Sequence, residues 1–183
     1  MKIIFSELYK ESDRGTVVLT ASIIDVALSR ILKAYLLPNS SGKDALLEGA
    51  LANLGTKINL VYRLGLISNR LCNDLHKIRN IRNAFAHELF ECTFESIPIQ
   101  SRMKELKKSE IVPFYTYLLA NKSDKVQEGF RGLFLFLGTS IIYYLECLEN
   151  NIESVASSKW ISTELIYKDG DEMIKRNKER QHK

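Results

Sequence analysis

The side chains best suited to chemistry are concentrated between residues 68 and 89, in SNRLCNDLHKIRNIRNAFAHEL. This stretch has helical periodicity, and Ser68 is its predicted N-cap. Four polar positions, three or four residues apart, form one stripe along that helix: His76, Asn80, Asn83 and His87. An imidazole titrates near neutral pH, and an amide both donates and accepts hydrogen bonds. The candidate chemistry of the chain therefore lies on one helix face.

A zinc site is one interpretation of this region, because Cys72 and Cys92 lie near the two histidines. His76 and His87 are eleven residues apart on the predicted helix, which separates them by about 16 Å and prevents them from sharing an ion. We therefore expect no metal. The sequence also lacks a glycine-rich phosphate loop, an HExxH motif and a serine nucleophile elbow, so no cofactor is expected either.

The opposite face of this helix is apolar but carries one charge. Its apolar members recur at alternating four- and three-residue spacing: Leu71, Leu75, Ile78, Phe85 and Leu89. Arg82 lies at the centre of that stripe, where a buried guanidinium needs a partner. Asp25 interrupts the apolar stripe of the first long helix in the same way. Opposite charges on apolar faces are costly apart and tolerable together, so the pattern predicts a buried Asp25–Arg82 ion pair.

Capping residues and helix breakers predict where the first long helix begins and ends. Ser12 or Asp13 caps it, and it ends near Leu37 because Pro38 disfavours helix in the residue before it. Its predicted buried stripe consists of Val17, Ala21, Ile24, Leu28, Ile31 and Tyr35.

Two shorter helices are predicted before the polar helix. Ser41 or Asp44 caps the first, which continues through Glu48. The second covers 56–64 and is closed by Gly65, where a left-handed cap costs little. The inward positions of the second helix are Ile58, Val61 and Tyr62.

The second half of the chain is predicted to contain a connector, a basic helical piece and one long core helix. We expect an extended connector at CTFESIPIQ, a basic solvated helix at SRMKELKKSE, and a lid or helix turn at IVPFYTYLL. Asp124 and Gln127 form a capping box that opens the longest helix, which continues past Glu149. Its run LFLFLGTSIIYYLECL falls short of the about 20 apolar residues of a membrane span. We therefore expect a buried core helix and no membrane.

That long helix carries apolar residues on more than one face. Its main stripe is Val126, Phe130, Leu133, Leu137, Tyr144, Leu148, Ile152 and Val155, and the residues beside it are Phe134, Phe136, Ile142 and Tyr143. The second set would be exposed in a monomer. We therefore predict a symmetric homodimer, with this helix as its interface or with the polar face of residues 68–89 near the two-fold axis.

Length, composition and link lengths predict one all-α domain. The chain has 183 residues, 45% of them hydrophobic, and helix stops recur at PNSSG, GLIS, ESIP and NKSD while strand alternation is missing. Short links favour a single antiparallel helical bundle over residues 1–167, followed by a charged flexible tail or frayed helix at 168–183. Three unevenly placed cysteines and an N-terminus without a secretory signal make the cytoplasm the expected compartment.

Two family resemblances follow from these residues. The RNAFAH segment, with Arg82, Asn83 and His87, resembles the motif of HEPN domains, in which an Arg and a polar residue precede a His near the end of a helix. The blocks ESDRGTVVLTASIIDVALSRIL and LGTKINLVYRLGLISNRLCNDLHKIRNIRNAFAH, in this order, resemble the mannitol operon repressor (MltR) family. That resemblance extends from about Arg14 to His87. It implies an all-α, MltR-like and HEPN-like fold.

The MltR resemblance implies a regulator of transcription, and the chemistry of the polar helix suggests how it acts. One whole face of that helix is apolar and belongs to the core, so it does not suit a DNA recognition helix. We therefore expect the regulator to act through protein partners. In this interpretation Arg82, Asn83 and His87 hold the bundle together.

The HEPN resemblance implies the alternative function, a metal-independent endoribonuclease in a toxin or defence role. By that resemblance two motifs meet across a dimer, His87 is the acid–base residue, Arg82 stabilises charge on the phosphate, and Asn83 orients it. A regular helix sets Arg82 and His87 about 140° apart. They converge only if the helix distorts near Ala86 or a second copy approaches. The net charge of +4 permits RNA as a partner.

Overall fold

The computed structural model describes residues 2–38, 44–87, 92–106, 109 and 129–153. Within these ranges all regular structure is helical, which confirms the predicted all-α fold class. One short π-helix spans Leu46–Ala50. The α-helices are α1 (Lys2–Lys10), α2 (Asp13–Tyr35), α3 (Leu54–Arg63), α4 (Asn69–His87), α5 (Ile97–Leu106) and α6 (Gly129–Asn151).

Several predicted features lie outside the described residues. They are the apolar run at 111–119, the capping box at 124–127, the domain limit at 167 and the charged tail at 168–183.

The predicted start and end of α2 and the predicted start of α4 are confirmed by their hydrogen bonds. The Ser12 side-chain Oγ accepts the backbone N–H of Gly15 at 3.1 Å, and helix α2 ends before the extended Leu36. The Ser68 Oγ accepts the N–H of Leu71 at 3.2 Å, which fixes the first turn of α4. These side chains satisfy N–H groups that have no partner inside the helix.

The turn between α3 and α4 also follows the predicted chemistry. Gly65 has a φ of 75° and ends α3 in the left-handed conformation that glycine adopts without a Cβ penalty. Helix α3 begins two residues earlier than predicted, because the Asn53 Oδ1 caps it by accepting the N–H of Thr56 at 2.9 Å.

The connector before α5 is shorter than predicted. Helix α5 begins at Ile97 and includes Pro98, so among the described residues of the predicted connector only 92–96 are non-helical. Proline is tolerated in the first turn of a helix, where its missing N–H has no helical acceptor. The β-branched and proline character of this segment therefore did not exclude a helix start.

The core forms where α2 packs against α6, α3 and α4. Five of the six residues in the predicted α2 stripe are buried, and Tyr35 is half-buried. At the α2–α6 crossing, a Cβ at Gly138 would lie 2.7 Å from the Thr20 Cγ2, so the two helices approach as closely as a glycine allows. The Thr20 Oγ1 is buried there and finds no hydrogen-bond partner among the described residues.

Contacts along the helices show their relative directions. Helices α3 and α4 are antiparallel, since Asn59 contacts His76 and Gly55 approaches Arg79. Helices α2 and α6 are parallel, because Asp13 pairs with Arg131, Thr20 faces Gly138, and Arg30 pairs with Glu149. The short α3–α4 link imposes an antiparallel pair, whereas the long chain between α2 and α6 imposes no direction.

The outward positions of α6 agree only in part with those predicted. Phe134 and Ile142 are buried within the same chain, so they do not require a dimer to cover them. Tyr143 and Tyr144 are each about half exposed. Tyr62 of α3, predicted to point inward, is also exposed.

By length and composition, α2 and α6 could each cross a membrane. The most apolar windows of these helices are 50% and 56% buried inside the fold, as is also found for core helices of folded domains.

Candidate functional site

Helix α4 presents one buried face and one polar face, as its periodicity predicts. Leu75, Ile78, Ile81 and Phe85 are fully buried. Asn80 and His87 are exposed, and Asn83 is half-buried. The apolar side anchors the helix in the core, so the polar side chains are held on a rigid support.

The polar face of α4 lines an open cleft with a volume of about 470 Å³. Of the lining residues that the structure describes, four belong to α4 and one belongs to α5: Asn80, Asn83, Ala84, His87 and Arg102. Helices α4 and α5 pack directly against each other. The cleft therefore brings together two predicted site residues, Asn83 and His87, and adds an arginine that the sequence interpretation did not select.

Arg82 lies beside the cleft, on the half-buried edge of α4. Its Nη1 donates to the Oδ1 of the neighbouring Asn83 at 3.1 Å. Helix α4 stays α-helical through His87, so the geometry of a regular helix keeps Arg82 and His87 on different sides. Within one chain the three residues of the RNAFAH motif do not converge on a single point.

His76 lies on the same stripe but takes part in a different contact. Its Nε2 is 2.9 Å from the Oδ1 of Asn59 on α3. Burial lowers the pKa of the His76 imidazole, and the nearby Arg79 guanidinium lowers it further. The neutral form is therefore favoured, and His76 acts as a link between α3 and α4.

The predicted Asp25–Arg82 ion pair is wrong, because Asp25 pairs with Lys57 of α3. The Lys57 Nζ donates to both carboxylate oxygens of Asp25 at 2.9 Å. The side chain of Lys57 is only 6% exposed and that of Asp25 is 32% exposed, so the ammonium is the more deeply buried partner. Helix α3 packs against α2 and supplies the cation from this side.

A signal for Lys57 was present in the sequence. Lys57 occupies the same apolar stripe of α3 as Leu54, Ile58 and Val61, at the spacing of one helix face. This is the pattern that identified Asp25 and Arg82. Three charges on three apolar stripes allow two pairings, and periodicity within each helix does not choose between them.

Asp74 is a further buried charge on α4 that the sequence interpretation missed. Asp74 is only 6% exposed. It lies three residues after Leu71 and four before Ile78, on the apolar stripe of α4. The Lys77 Nζ donates to its Oδ1 at 2.9 Å, and the Ser109 hydroxyl donates to its Oδ2 at 2.5 Å. The carboxylate thus fastens the chain after α5 to α4, at the end of the helix away from the cleft.

The two cysteines that suggested a zinc site are not bonded to each other. Cys72 and Cys92 are both buried with free thiols. Burial raises the pKa of the Cys72 thiol, which favours the thiol over the metal-binding thiolate.

Comparisons with known proteins yield one distant structural likeness. No protein-family model matches the sequence. No curated protein matches it. Among solved structures, the chain is similar to a chain in the X-ray structure of the MtlR–HPr complex from Escherichia coli, with 14% sequence identity and a TM-score of 0.49. The match covers 81% of this chain and 97% of that one. A likeness at this level carries no argument about function.

Proposed function

We propose that the protein is an MltR-like regulatory module of the cytoplasm that controls transcription by binding another protein at the α4–α5 cleft. The observation that carries this proposal is the cleft itself, where the polar side chains of a core-anchored helix are open to solvent. Concave sites with a few convergent polar groups are the usual places for recognition. The MltR resemblance of residues 14–87 supports a regulatory role.

The packing of α4 favours a protein partner over DNA. A recognition helix must enter the major groove with its base-reading side chains free. Helix α4 instead contacts α2, α3 and α5, and its buried face occupies the core. The open part of α4 is the short polar stripe at the cleft, which suits contact with a partner surface.

A photo-crosslinking experiment tests this proposal in cells. The photo-reactive residue benzoylphenylalanine is placed at position 80 in the cleft or, as a control, at exposed position 26 on α2. We expect one defined protein adduct from position 80 and not from position 26. Replacing Asn83 and Arg102 together should change the same transcripts as deletion of the gene. No adduct at position 80, or unchanged transcripts, would overturn the regulatory proposal.

A metal-independent endoribonuclease is the second candidate, and the location of Asn83 and His87 favours it. Both residues line one cleft with a guanidinium, that of Arg102. An imidazole can move the proton of a ribose 2′-hydroxyl, and a guanidinium can stabilise charge on the phosphate. By the HEPN resemblance, Arg82 of a second copy would complete this site.

Incubation of the purified protein with mixed RNA in EDTA tests the nuclease. Cleavage that is lost in His87→Ala and kept in His76→Ala would support it, because only His87 lines the cleft. Products should end in a cyclic phosphate, and substrates without 2′-hydroxyls should survive. Light scattering that returns the 21.0 kDa monomer mass would remove the dimeric nuclease.

A further inference from the structure

The described lining of the α4–α5 cleft carries a positive charge and no negative one. It contains one permanent cation, Arg102, one imidazole, His87, and the two amides of Asn80 and Asn83. The fifth described lining residue is Ala84, so no carboxylate belongs to the part of the lining that the structure describes. Guanidinium and amide groups together can donate several hydrogen bonds into the cleft. The described lining is therefore complementary to an anionic ligand.

The guanidinium of Arg102 on α5 has N–H donors that its described contacts do not use. Its Nη1 donates to the carbonyl oxygen of Pro98, one turn earlier, at 2.7 Å. A guanidinium carries five N–H donors. Among the described residues this carbonyl is its hydrogen-bond partner, and no described carboxylate lies in ion-pair contact with it. The bond to Pro98 orients the side chain and leaves most of its donors for a ligand.

We propose that this cleft binds an acidic side chain, a Glu or Asp carboxylate, of the protein partner, with Arg102 as the charged contact. Asn83 donates a further hydrogen bond to the same segment. This inference rests on the proposed regulatory function and names the chemistry of its partner. Hydrogen bonds between a guanidinium and a carboxylate are about twice as strong as neutral ones.

The lining favours an acidic protein segment over a polynucleotide. Proteins that bind single-stranded nucleic acid combine several cations along the backbone with aromatic side chains that stack on bases. Among the lining residues that the structure describes there are one arginine and one histidine, and none of the five is aromatic. The forked guanidinium of Arg102 fits one carboxylate, and a main-chain carbonyl next to that carboxylate can accept the amide N–H of Asn83.

The test compares two variants that each remove one positive charge from helix α5. Arg102→Gln removes the cation of the cleft, and Lys104→Gln removes an exposed cation of α5 that does not line the cleft. Each variant carries benzoylphenylalanine at position 80, and the yield of the protein adduct is measured after irradiation in cells. We expect Arg102→Gln to lower the yield about tenfold, because hydrogen bonds to a charged group are lost. Lys104→Gln should leave it unchanged.

A charge exchange then identifies the contact. The cross-linked peptide of the partner is sequenced by mass spectrometry, and each of its acidic residues is changed to arginine. One of these changes should abolish the adduct with the parent chain and restore it with Arg102→Glu. Circular dichroism of the purified variants should give melting curves like that of the parent, which shows that the chain is folded.

Each outcome separates the inference from the function on which it rests. An adduct of equal yield in Arg102→Gln and Lys104→Gln would overturn the acidic contact and leave the protein-binding function intact. No protein adduct in the parent would overturn both. RNA cross-linked at position 80 in an Arg102-dependent way would assign the cleft to a polynucleotide and reject the acidic protein segment.

Discussion

The pair of Asp25 and Lys57 and the α4–α5 cleft are two regions in which polar groups are handled in opposite ways. In the first, a charge on α2 and a charge on α3 satisfy each other across a helix interface. In the second, Asn80, His87 and Arg102 surround solvent on a rigid support. In the first region, the desolvation cost of burying two charges is offset by their attraction across the helix interface. In the second region, the polar groups keep their hydrogen-bonding capacity for a ligand.

The difference teaches how to interpret a charge on a helical stripe. A charge that interrupts an apolar face, such as Lys57, is expected to have an internal partner, so its removal acts on stability. A polar group on the opposite face, such as Asn80, contributes little to folding and is available for binding. Mutations in the two regions should therefore separate stability from function.

The largest effect is expected from Asp25→Ala, which leaves the Lys57 ammonium without its partner. That side chain is only 6% exposed, and an unpaired buried charge costs about 3 kcal/mol of unfolding free energy. Urea denaturation followed by circular dichroism measures the loss. Lys57→Met should cost less, because the 32% exposed carboxylate of Asp25 remains accessible to water. Equal stability of Asp25→Ala and the parent would show that the ion pair does not hold α2 and α3 together.

Gly138→Ala should have the next largest effect, since the new Cβ would lie 2.7 Å from the Thr20 Cγ2 at the α2–α6 crossing. Overpacking of this kind costs about 2 kcal/mol. Gly49→Ala is the matched control, because a Cβ there would meet no described atom within 4 Å beyond its chain neighbours and the local helix backbone. Thr20→Ser removes the clashing methyl and should recover stability in the Gly138→Ala background. A double variant no more stable than Gly138→Ala in thermal melts would refute this contact.

A smaller effect is expected from the pH dependence of His76. Burial and Arg79 lower its pKa in the folded state below the ordinary value of 6.5, so the unfolded chain binds more protons as the pH falls past that value. Stability therefore rises with pH across this window and is lost towards acid. Melting temperatures at pH 7.5 and pH 5.5 should differ less for His76→Gln than for the parent. An identical difference would mean that His76 titrates alike in both states.

The smallest effect on stability is expected in the cleft. Asn80→Ala and Arg102→Gln change exposed side chains that line the solvent-filled space, so each should alter the unfolding free energy by less than about 0.5 kcal/mol. The same denaturation series measures this. A loss of unfolding free energy as large as that of Asp25→Ala would show that the cleft residues stabilise the fold. The contrast between the cleft and the Asp25–Lys57 pair would then be wrong.

Local patterns in the sequence determined the helices and their faces. The left-handed Gly65 and the cap at Ser68 depend on neighbouring residues, and both were predicted, while Ser12 was one of the two caps predicted for α2. The buried stripe of α2 and the polar stripe of α4 were also predicted, because helical spacing alone places their residues on one side.

The tertiary structure alone decided which stripes meet. It paired Asp25 with Lys57 in place of Arg82, set α2 and α6 parallel, and brought Arg102 of α5 to the polar face of α4. Each of these facts joins residues far apart in the chain. Helical periodicity gives the direction of a side chain relative to its own helix axis, whereas the partner across an interface depends on how whole helices pack to bury their apolar area.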